Sequence, residues 1–321
     1  DGSINAIFDL KIQRFRDRVQ ACCSVPVDRM VRAHYEREGM AILKARKAAR
    51  DRIVSVGQWK RERVRIRKNL LEAIGAFPED REPRGRIVKE LKKPGLILQK
   101  ILFLSHPGSW VPSNLYLPSR GAGPFPGIVM PPGHSLNGKA AYAEIATYFA
   151  LNGYAVLTFD FVGEGERYLF SLNGRRTMFS STEHYVLGAQ MALWGYNLQW
   201  FMLYDVLRAV DWIASRKELD RERIGITGAS GGGNASFYAA ALDERIKVVA
   251  PAASVHSQSN AFQPGDPEQV YFDHFRRGLD YPDVASFLVA PRPLLIVANT
   301  RDIWPIQGTK EVFQEARRFY R

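Results

Sequence analysis

The chain has 321 residues, of which 46% are hydrophobic and 24% are charged, values that are ordinary for a globular protein. No apolar run approaches the roughly 18 residues that a membrane-spanning helix needs, which excludes a transmembrane segment. The net charge of +12 arises within residues 11–70, which hold 18 Lys and Arg against 6 Asp and Glu, whereas the other 261 residues sum to zero.

This basic segment has two interpretations. It could bind an anionic partner such as nucleic acid, a membrane surface or an acidic polymer. Alternatively, it could be a helical face whose Arg side chains pack on the rest of the protein. We favour packing, because the segment contains no recognised nucleic-acid module, and we expect no nucleic-acid partner. The only cysteines, Cys22 and Cys23, are adjacent, so we predict neither a disulfide nor a zinc site from them.

Two helices are predicted near the N-terminus. The first begins with Asp28 as its N-cap, and the second is rich in Arg and ends at Gly75 and Pro78. The turn-rich segment 78–85 then marks the predicted domain boundary. It separates a basic helical extension (residues 1–85), which packs on the body, from the body itself (residues 86–321).

The body alternates short apolar runs with helical segments. Strands are predicted at 97–105, 113–118, 127–132, 154–160, 223–228, 246–252 and 293–299, and helical segments at 139–153, 187–216, 231–242 and 307–320. The first two strands should pair antiparallel at an edge. The rest predict an α/β fold, in which a mostly parallel sheet is flanked by helices on both faces. Ligands of such sheets bind at the carboxyl ends of the strands.

A serine surrounded by glycines follows one of these strands. The sequence from Gly228 to Gly232 fits the pattern G-x-S-x-G, with Ser230 at its centre, a strand before it and a helix after it. This context is typical of a nucleophile elbow. A flexible glycine loop is disfavoured by the flanking strand and helix, and a phosphate-binding loop by the absence of its glycine spacing and of a following Lys. We therefore predict that Ser230 is a catalytic nucleophile.

A serine nucleophile needs amide donors for the oxyanion and a base oriented by an acid. The predicted donors are the backbone N–H groups of Gly231 and His134, with Ser135 as the alternative to His134. Asp302, which follows the strand at 293–299, is the predicted acid. The alternative for Asp302 is a surface turn or a helix cap.

The histidine base is expected to follow the acid in the chain, yet no histidine lies between Asp302 and Arg321. One explanation is that the native polypeptide continues past Arg321 and carries this histidine, which is the explanation we favour. The other is that an upstream histidine replaces it, for which His256 has the most suitable position.

The body resembles the α/β-hydrolase superfamily, in particular its acetyl-xylan-esterase-like and dienelactone-hydrolase-like branch. The similar segments span roughly residues 95–321 and lie at 133–140, 152–167, 183–198, 220–234 and 290–309. The resemblance implies an α/β-hydrolase fold, Ser230 as nucleophile and Asp302 as acid. It also implies a catalytic histidine after a further strand, some 20–30 residues beyond Arg321.

These observations favour a serine carboxylic-ester hydrolase that forms an acyl-enzyme, and the resemblance suggests acetylated carbohydrates or small acyl esters as substrates. Two alternatives remain: a serine peptidase or amidase on the same fold, and a non-catalytic hydrolase-fold binding protein. No cofactor is expected, and no histidine pair at helical spacing predicts a metal site. The acyl group, the alcohol, the oligomeric state and the compartment are left open.

Three further features have structural interpretations that we prefer. The aromatic-rich tract at 194–212 could stack on sugars, but core packing is favoured. Glu164, in the loop after the strand at 154–160, is not expected to be catalytic. His184 could line the mouth of the site, but a structural hydrogen bond is favoured.

Overall fold

The computed structural model of the protein describes residues 13–14, 16–18, 20–21, 29–78, 82–259, 273–274 and 276–320. The predicted N-cap Asp28 and the cysteines Cys22 and Cys23 lie outside the described residues. Within these ranges, none of the helices combines the length and the apolar character needed to cross a membrane.

A seven-stranded mixed sheet forms the centre of the body. The strands in chain order are β1 (Gly85–Lys93), β2 (Leu96–Leu104), β3 (Trp110–Pro118), β4 (Phe125–Met130), β5 (Ala155–Phe159), the short hairpin β6 (Ser171–Leu172) and β7 (Arg175–Arg176), β8 (Leu219–Ala229) and β9 (Ile246–Ala252). The order across the sheet is β1-β2-β3-β5-β4-β8-β9, with β6 and β7 paired separately. The strands β5, β4, β8 and β9 run parallel, and β1, β2 and β3 add an antiparallel edge.

Helices cover both faces of this sheet. The α-helices with described bounds are, in chain order, α1 (Met30–Asp51), α2 (Val56–Ile74), α3 (Ala143–Leu151), α4 (Ser180–Leu193), α5 (Leu198–Ser215), α6 (Gly231–Leu242), α7 (Tyr281–Val284) and α8 (Ile306–Ala316). On one face, α3 buries Ala146 and Ala150 against Val156 of β5. On the other, α2, α5 and α6 share a larger core that includes Leu157 of β5. Adjacent residues of a strand point to opposite faces, so the predicted two-sided α/β fold is confirmed.

The last predicted strand, at 293–299, pairs irregularly. It lies beside β9 in parallel orientation, held by the isolated bridges Val249–Leu294 and Ala252–Val297. The Leu295 N–H donates to the Val249 carbonyl at 3.0 Å, and the Val297 N–H donates to the Pro251 carbonyl at 3.0 Å. Its carboxyl end therefore lies at the same edge of the sheet as those of β8 and β9.

The fold differs from the sequence-based expectation at several elements, of which β1 and the tract at 187–216 are the longest. Strand β1 was not predicted, because it is an edge strand with mostly exposed residues, among them Lys89, Lys92 and Lys93. Exposed lysines are a common protection of sheet edges and hide the alternating pattern. The predicted helical tract at 187–216 is two helices, α4 and α5, divided by a turn in which Gly195 has a φ of +77°.

The N-terminal helices pack on the body through both apolar and basic side chains. Ile66 and Leu70 of α2 are fully buried in the main core. Arg50 of α1 is buried as well, with its guanidinium 2.9 Å from the carboxylate of Asp283 and 3.4 Å from that of Glu315. These contacts support the packing interpretation of the basic segment, while the division of the chain at residue 85 stays a prediction.

Candidate active site

Ser230 lies at a sharp turn between β8 and α6. Its backbone has φ +55° and ψ −123°, a conformation that residues other than glycine rarely adopt. The turn is held on both sides: the Ser230 N–H donates to the Ala252 carbonyl at 2.9 Å, and the Ser230 carbonyl accepts from the Asn234 N–H at 2.9 Å. The side chain is half-buried at the carboxyl end of the sheet. This is the geometry expected of a nucleophile elbow.

The glycines around Ser230 are required by close packing of the backbone. A Cβ atom on Gly228 would lie 2.6 Å from the carbonyl oxygen of Pro131. On Gly232 it would overlap the same oxygen and lie 2.5 Å from the carbonyl oxygen of Pro132. The loop after β4 therefore rests directly against the elbow, at a distance that excludes any side chain at these two positions.

The same loop carries the predicted oxyanion donor His134. A Cβ on the preceding Gly133 would be 3.2 Å from the Cβ of Ser230, so this stretch of backbone borders the serine. The Gly133 N–H donates to the Tyr142 hydroxyl at 2.7 Å, and the Ser135 N–H donates to the Glu164 carboxylate at 2.8 Å. Both amides that flank His134 are thus used within the protein, which argues against Ser135 as the oxyanion donor.

The structure brings Ser230, Gly231 and the backbone around His134 together and places Asp302 farther along the same edge of the sheet. Asp302 follows the segment 293–299, which is two positions from β8. At a strand spacing of about 4.8 Å, the two backbones are roughly 10 Å apart at this edge. A histidine side chain between them could reach both residues. Asp302 is half-buried, and its carboxylate accepts a long hydrogen bond of 3.4 Å from the Trp304 N–H.

His256, the alternative base, has both ring nitrogens engaged by other groups. Nδ1 lies 2.9 Å from the Ser254 carbonyl, which can only accept, so Nδ1 carries the proton. Nε2 then accepts from the side-chain amide of Gln258 at 3.1 Å. The ring also stacks on Trp304, with centroids 4.1 Å apart. Burial lowers the pKa of His256, against the opposing effects of the Ser254 carbonyl and the nearby Asp302 carboxylate. These contacts engage both ring nitrogens and one ring face of His256 in the loop after β9.

A buried ionic cluster fixes the loops that follow β4 and β5. The carboxylate of Asp160 accepts from the backbone N–H groups of Lys139 and Glu166, at 2.7 and 3.0 Å, and pairs with the Lys139 ammonium. Asp160 is fully buried and Lys139 nearly so. Because Lys139 belongs to the segment after β4 and Asp160 directly follows β5, this pair holds the backbone that borders Ser230.

A second cluster, formed by the partly buried His134 and the buried Glu164 and His184, involves the same two loops. Nε2 of His184 lies 2.7 Å from the Val162 carbonyl, so this nitrogen donates and, in the neutral ring, Nδ1 accepts. Nδ1 lies 3.1 Å from Nε2 of His134. Burial raises the pKa of Glu164 to about 7, partly offset by the hydrogen bond from the Ser135 N–H. The structural hydrogen bond predicted for His184 is confirmed, but sequence reasoning missed the cluster, because its members come from three separate segments.

The aromatic tract has two environments. Tyr204 and Trp212 are buried in the core, as the packing interpretation predicts. Trp194 and Tyr196, in the turn between α4 and α5, are exposed, Trp194 by 82%. The core interpretation is therefore wrong for these two side chains, which lie in the turn between the two helices.

The chain is similar to known hydrolases and esterases. The model of the acetyl xylan esterase (AXE1) family matches residues 89–262, more than half of the chain. The match includes His134, Ser230 and Gly231 and ends before Asp302. A Bacillus subtilis protein named "Putative hydrolase YtaP" is 27% identical over 274 residues, which cover 80% of this chain and 88% of the relative.

Solved structures show the same fold. A Bacteroides fragilis crystal structure, described as that of "a putative acetyl xylan esterase", superposes with a TM-score of 0.71 at 18% identity and covers 83% of this chain and 73% of its own. A glucuronoyl esterase from Solibacter usitatus superposes with a TM-score of 0.60 at 16% identity, with 84% and 81% of the two chains covered. The chain therefore belongs to the acetyl xylan esterase family, which places it among the carboxylic-ester hydrolases of the α/β-hydrolase fold.

Proposed function

We propose that this protein is a serine carboxylic-ester hydrolase that removes acetyl or similarly small acyl groups from a carbohydrate through an acyl-enzyme intermediate. The observation that carries the proposal is the backbone of Ser230. A strained non-glycine residue with φ +55° costs about 1–3 kcal/mol, and such strain is found mainly where function requires it. Here it presents a serine hydroxyl at the carboxyl edge of the sheet, next to the amino end of a buried helix.

In the proposed mechanism, the Ser230 hydroxyl attacks the acyl carbon of the ester while a histidine accepts its proton. The carbonyl oxygen becomes an oxyanion and accepts hydrogen bonds from the Gly231 and His134 amides, and the amino end of α6 adds the favourable field of the helix dipole. The histidine then protonates the leaving alcohol. Water attacks the acyl-enzyme in the reverse sequence and releases the acid and the free serine.

Asp302 is proposed to orient the histidine and to stabilise its charged form. Its place at the end of the segment 293–299, on the same edge as Ser230, supports this role. His256 is not proposed as the base, because both of its ring nitrogens are hydrogen bonded to other groups. A histidine that follows Asp302 in chain order stays the prediction for the base.

The substrate class rests on the family. The matching family is that of the acetyl xylan esterases, and the two solved structures named above are described as an acetyl xylan esterase and a glucuronoyl esterase. Since a small acyl group needs little space beside the serine, the tight contact between the loop after β4 and the elbow is compatible with acetyl esters.

The direct test is hydrolysis of p-nitrophenyl acetate and of acetylated xylan by the full-length native protein. Ser230→Ala should lower kcat/KM by at least about 10³-fold, because the acyl-enzyme cannot form. Ser119→Ala, at an exposed serine after β3, is the matched control and should keep wild-type activity. Unchanged turnover in Ser230→Ala would remove the assignment.

The acid and the base are tested by two further variants. Asp302→Asn should lower kcat by about 10⁴-fold, because the histidine would lose its orienting carboxylate. His256→Gln should retain most of the activity. If His256→Gln were as inactive as Ser230→Ala while remaining folded, His256 would be the base and our assignment of its contacts as structural would be wrong.

Adding an aminoacyl p-nitroanilide as a third substrate separates the two other hypotheses from ours. A peptidase or amidase would cleave an aminoacyl p-nitroanilide faster than the acetyl ester. A non-catalytic binding protein would hydrolyse neither, although it would keep the fold.

A further inference from the structure

The cluster of His134, Glu164 and His184 joins three segments that are distant in sequence. His134 lies in the loop after β4, Glu164 in the loop after β5, and His184 on α4. One nitrogen or oxygen atom from each residue lies within 4.8 Å of the others. Glu164 and His184 are buried, and His134 is partly buried. Two imidazoles and one carboxylate are the donor set of many zinc sites in which a fourth position is left for water.

The hydrogen bonds around His184 prepare it as a ligand. Its Nε2 donates to the Val162 carbonyl at 2.7 Å, which leaves Nδ1 without a proton and directed at His134. Histidine ligands of metals usually have this arrangement, in which the second ring nitrogen donates to a backbone carbonyl or a carboxylate. The geometry therefore fixes the tautomer that a metal requires.

The spacing of the two imidazoles also fits a metal ion. Nδ1 of His184 and Nε2 of His134 are 3.1 Å apart. Two nitrogens bound tetrahedrally to zinc, each at 2.0–2.1 Å, are about 3.3 Å apart. An ion could thus replace the proton that the two rings share with only a small movement of the side chains, provided that His134 takes the other tautomer.

The charges near the cluster favour a cation. Glu164 is a buried carboxyl that accepts one hydrogen bond, from the Ser135 N–H through Oε2. The guanidinium of Arg176, which acts electrostatically on Glu164, is paired with the buried carboxylate of Glu183 at 3.2 Å. A divalent ion would supply the positive charge that a buried carboxylate needs.

We propose that His134, Glu164 and His184 form a binding site for one divalent transition-metal ion of the zinc type. The ion would tie the loops after β4 and β5 to α4. Because His134 also supplies the backbone that borders Ser230, an occupied site would hold that loop in place without taking part in ester hydrolysis. This inference is independent of the function proposed for Ser230.

The test is zinc binding by the chelator-treated full-length protein, measured by isothermal titration calorimetry. The variant with Cys22→Ser and Cys23→Ser is used as the background, because adjacent thiols can bind zinc themselves. We expect one zinc ion per chain and a higher melting temperature when zinc is present. Cobalt in place of zinc should give visible absorption bands with imidazole ligands, and magnesium should not bind, because it prefers oxygen ligands.

Two variants and one control locate the site. Glu164→Gln and His184→Asn should each weaken zinc binding by at least about a hundredfold. His34→Asn, at an exposed histidine of α1, should leave zinc binding unchanged. Circular dichroism shows whether each variant is folded, and the background protein keeps His134, Glu164 and His184 unchanged. Absence of zinc binding to the background protein would overturn the proposal, as would binding that both variants leave unchanged.

Discussion

Two neighbouring regions at the carboxyl edge of the sheet are built on opposite principles. The elbow at Ser230 is shaped by backbone contacts, with glycines where any side chain would collide with Pro131 or Pro132. The loops beside it are held by buried ionisable side chains, in which Lys139 pairs with Asp160 and His134 contacts His184. The first region requires the absence of side chains, and the second depends on specific charged ones.

This difference determines how each region should respond to substitution. At the elbow a single added methyl group should be damaging, whereas in the loops the loss of a charge should matter more than a change of volume. Both regions must be intact to hold the backbone around Gly133 against Ser230. Their separate contributions can be measured with variants of matched size.

The largest expected effect is that of Gly232→Ala. The new Cβ would overlap the Pro131 carbonyl oxygen and lie 2.5 Å from that of Pro132, so the loop after β4 would have to move. We expect a loss of about 3 kcal/mol or more in the free energy of unfolding, measured with urea, together with loss of esterase activity. The control is Gly225→Ala in the preceding strand β8, where the nearest atom is 3.7 Å away and the effect should stay below about 1 kcal/mol. Equal effects of the two variants would contradict the close packing at the elbow.

The second largest loss of stability is expected when the buried ion pair between Lys139 and Asp160 is broken. Asp160→Asn keeps the size of the side chain but leaves the buried Lys139 ammonium without its main counter-charge, because Glu166, its other partner, is largely exposed. Removal of one partner of a buried pair costs about 3 kcal/mol. Asp220→Asn, which breaks a surface ion pair with Arg223, should leave the urea midpoint of unfolding nearly unchanged, because solvent screens this pair. If the two variants unfolded at the same urea concentration, the Lys139–Asp160 pair would not hold the loops.

The smallest expected effect is a difference in stability between two variants of Ser230, which measures the backbone strain at this residue. Ser230→Gly and Ser230→Ala both remove the hydroxyl group, so both should be inactive, but glycine tolerates φ +55° better than alanine does. The glycine variant should therefore be more stable by about 1 kcal/mol, even though glycine loses more entropy on folding. A glycine variant that is less stable than the alanine variant would show that the backbone of Ser230 is not strained.

The same contrast explains what could be predicted from the sequence. Helix α6 and strand β9 were predicted with their observed bounds, and the elbow was found, because each depends on a contiguous pattern of residues. The cluster of His134, Glu164 and His184 was not predicted, because its members are distant in sequence and meet only after the loops fold. Strand β1 was missed since pairing with β2, rather than its own apolar pattern, makes it a strand.

The proposed site residues differ in how clearly the sequence marks them. The sequence motif fixes Ser230 and Gly231 together, because a strand, a sharp turn and a helix follow one another directly. Asp302 was predicted only from its place after a late strand, and the structure shows that this strand is irregular. No local pattern distinguishes it from a surface turn.

The central claim is that Ser230 is an activated nucleophile, and covalent labelling tests it most directly. The full-length native protein is treated with a fluorophosphonate, which reacts with activated serines, and the intact mass and the modified peptide are then determined. We predict one adduct per chain, located on Ser230, with simultaneous loss of activity on p-nitrophenyl acetate. An active protein that stays unlabelled at Ser230, or that carries the adduct on a different residue, would contradict the account.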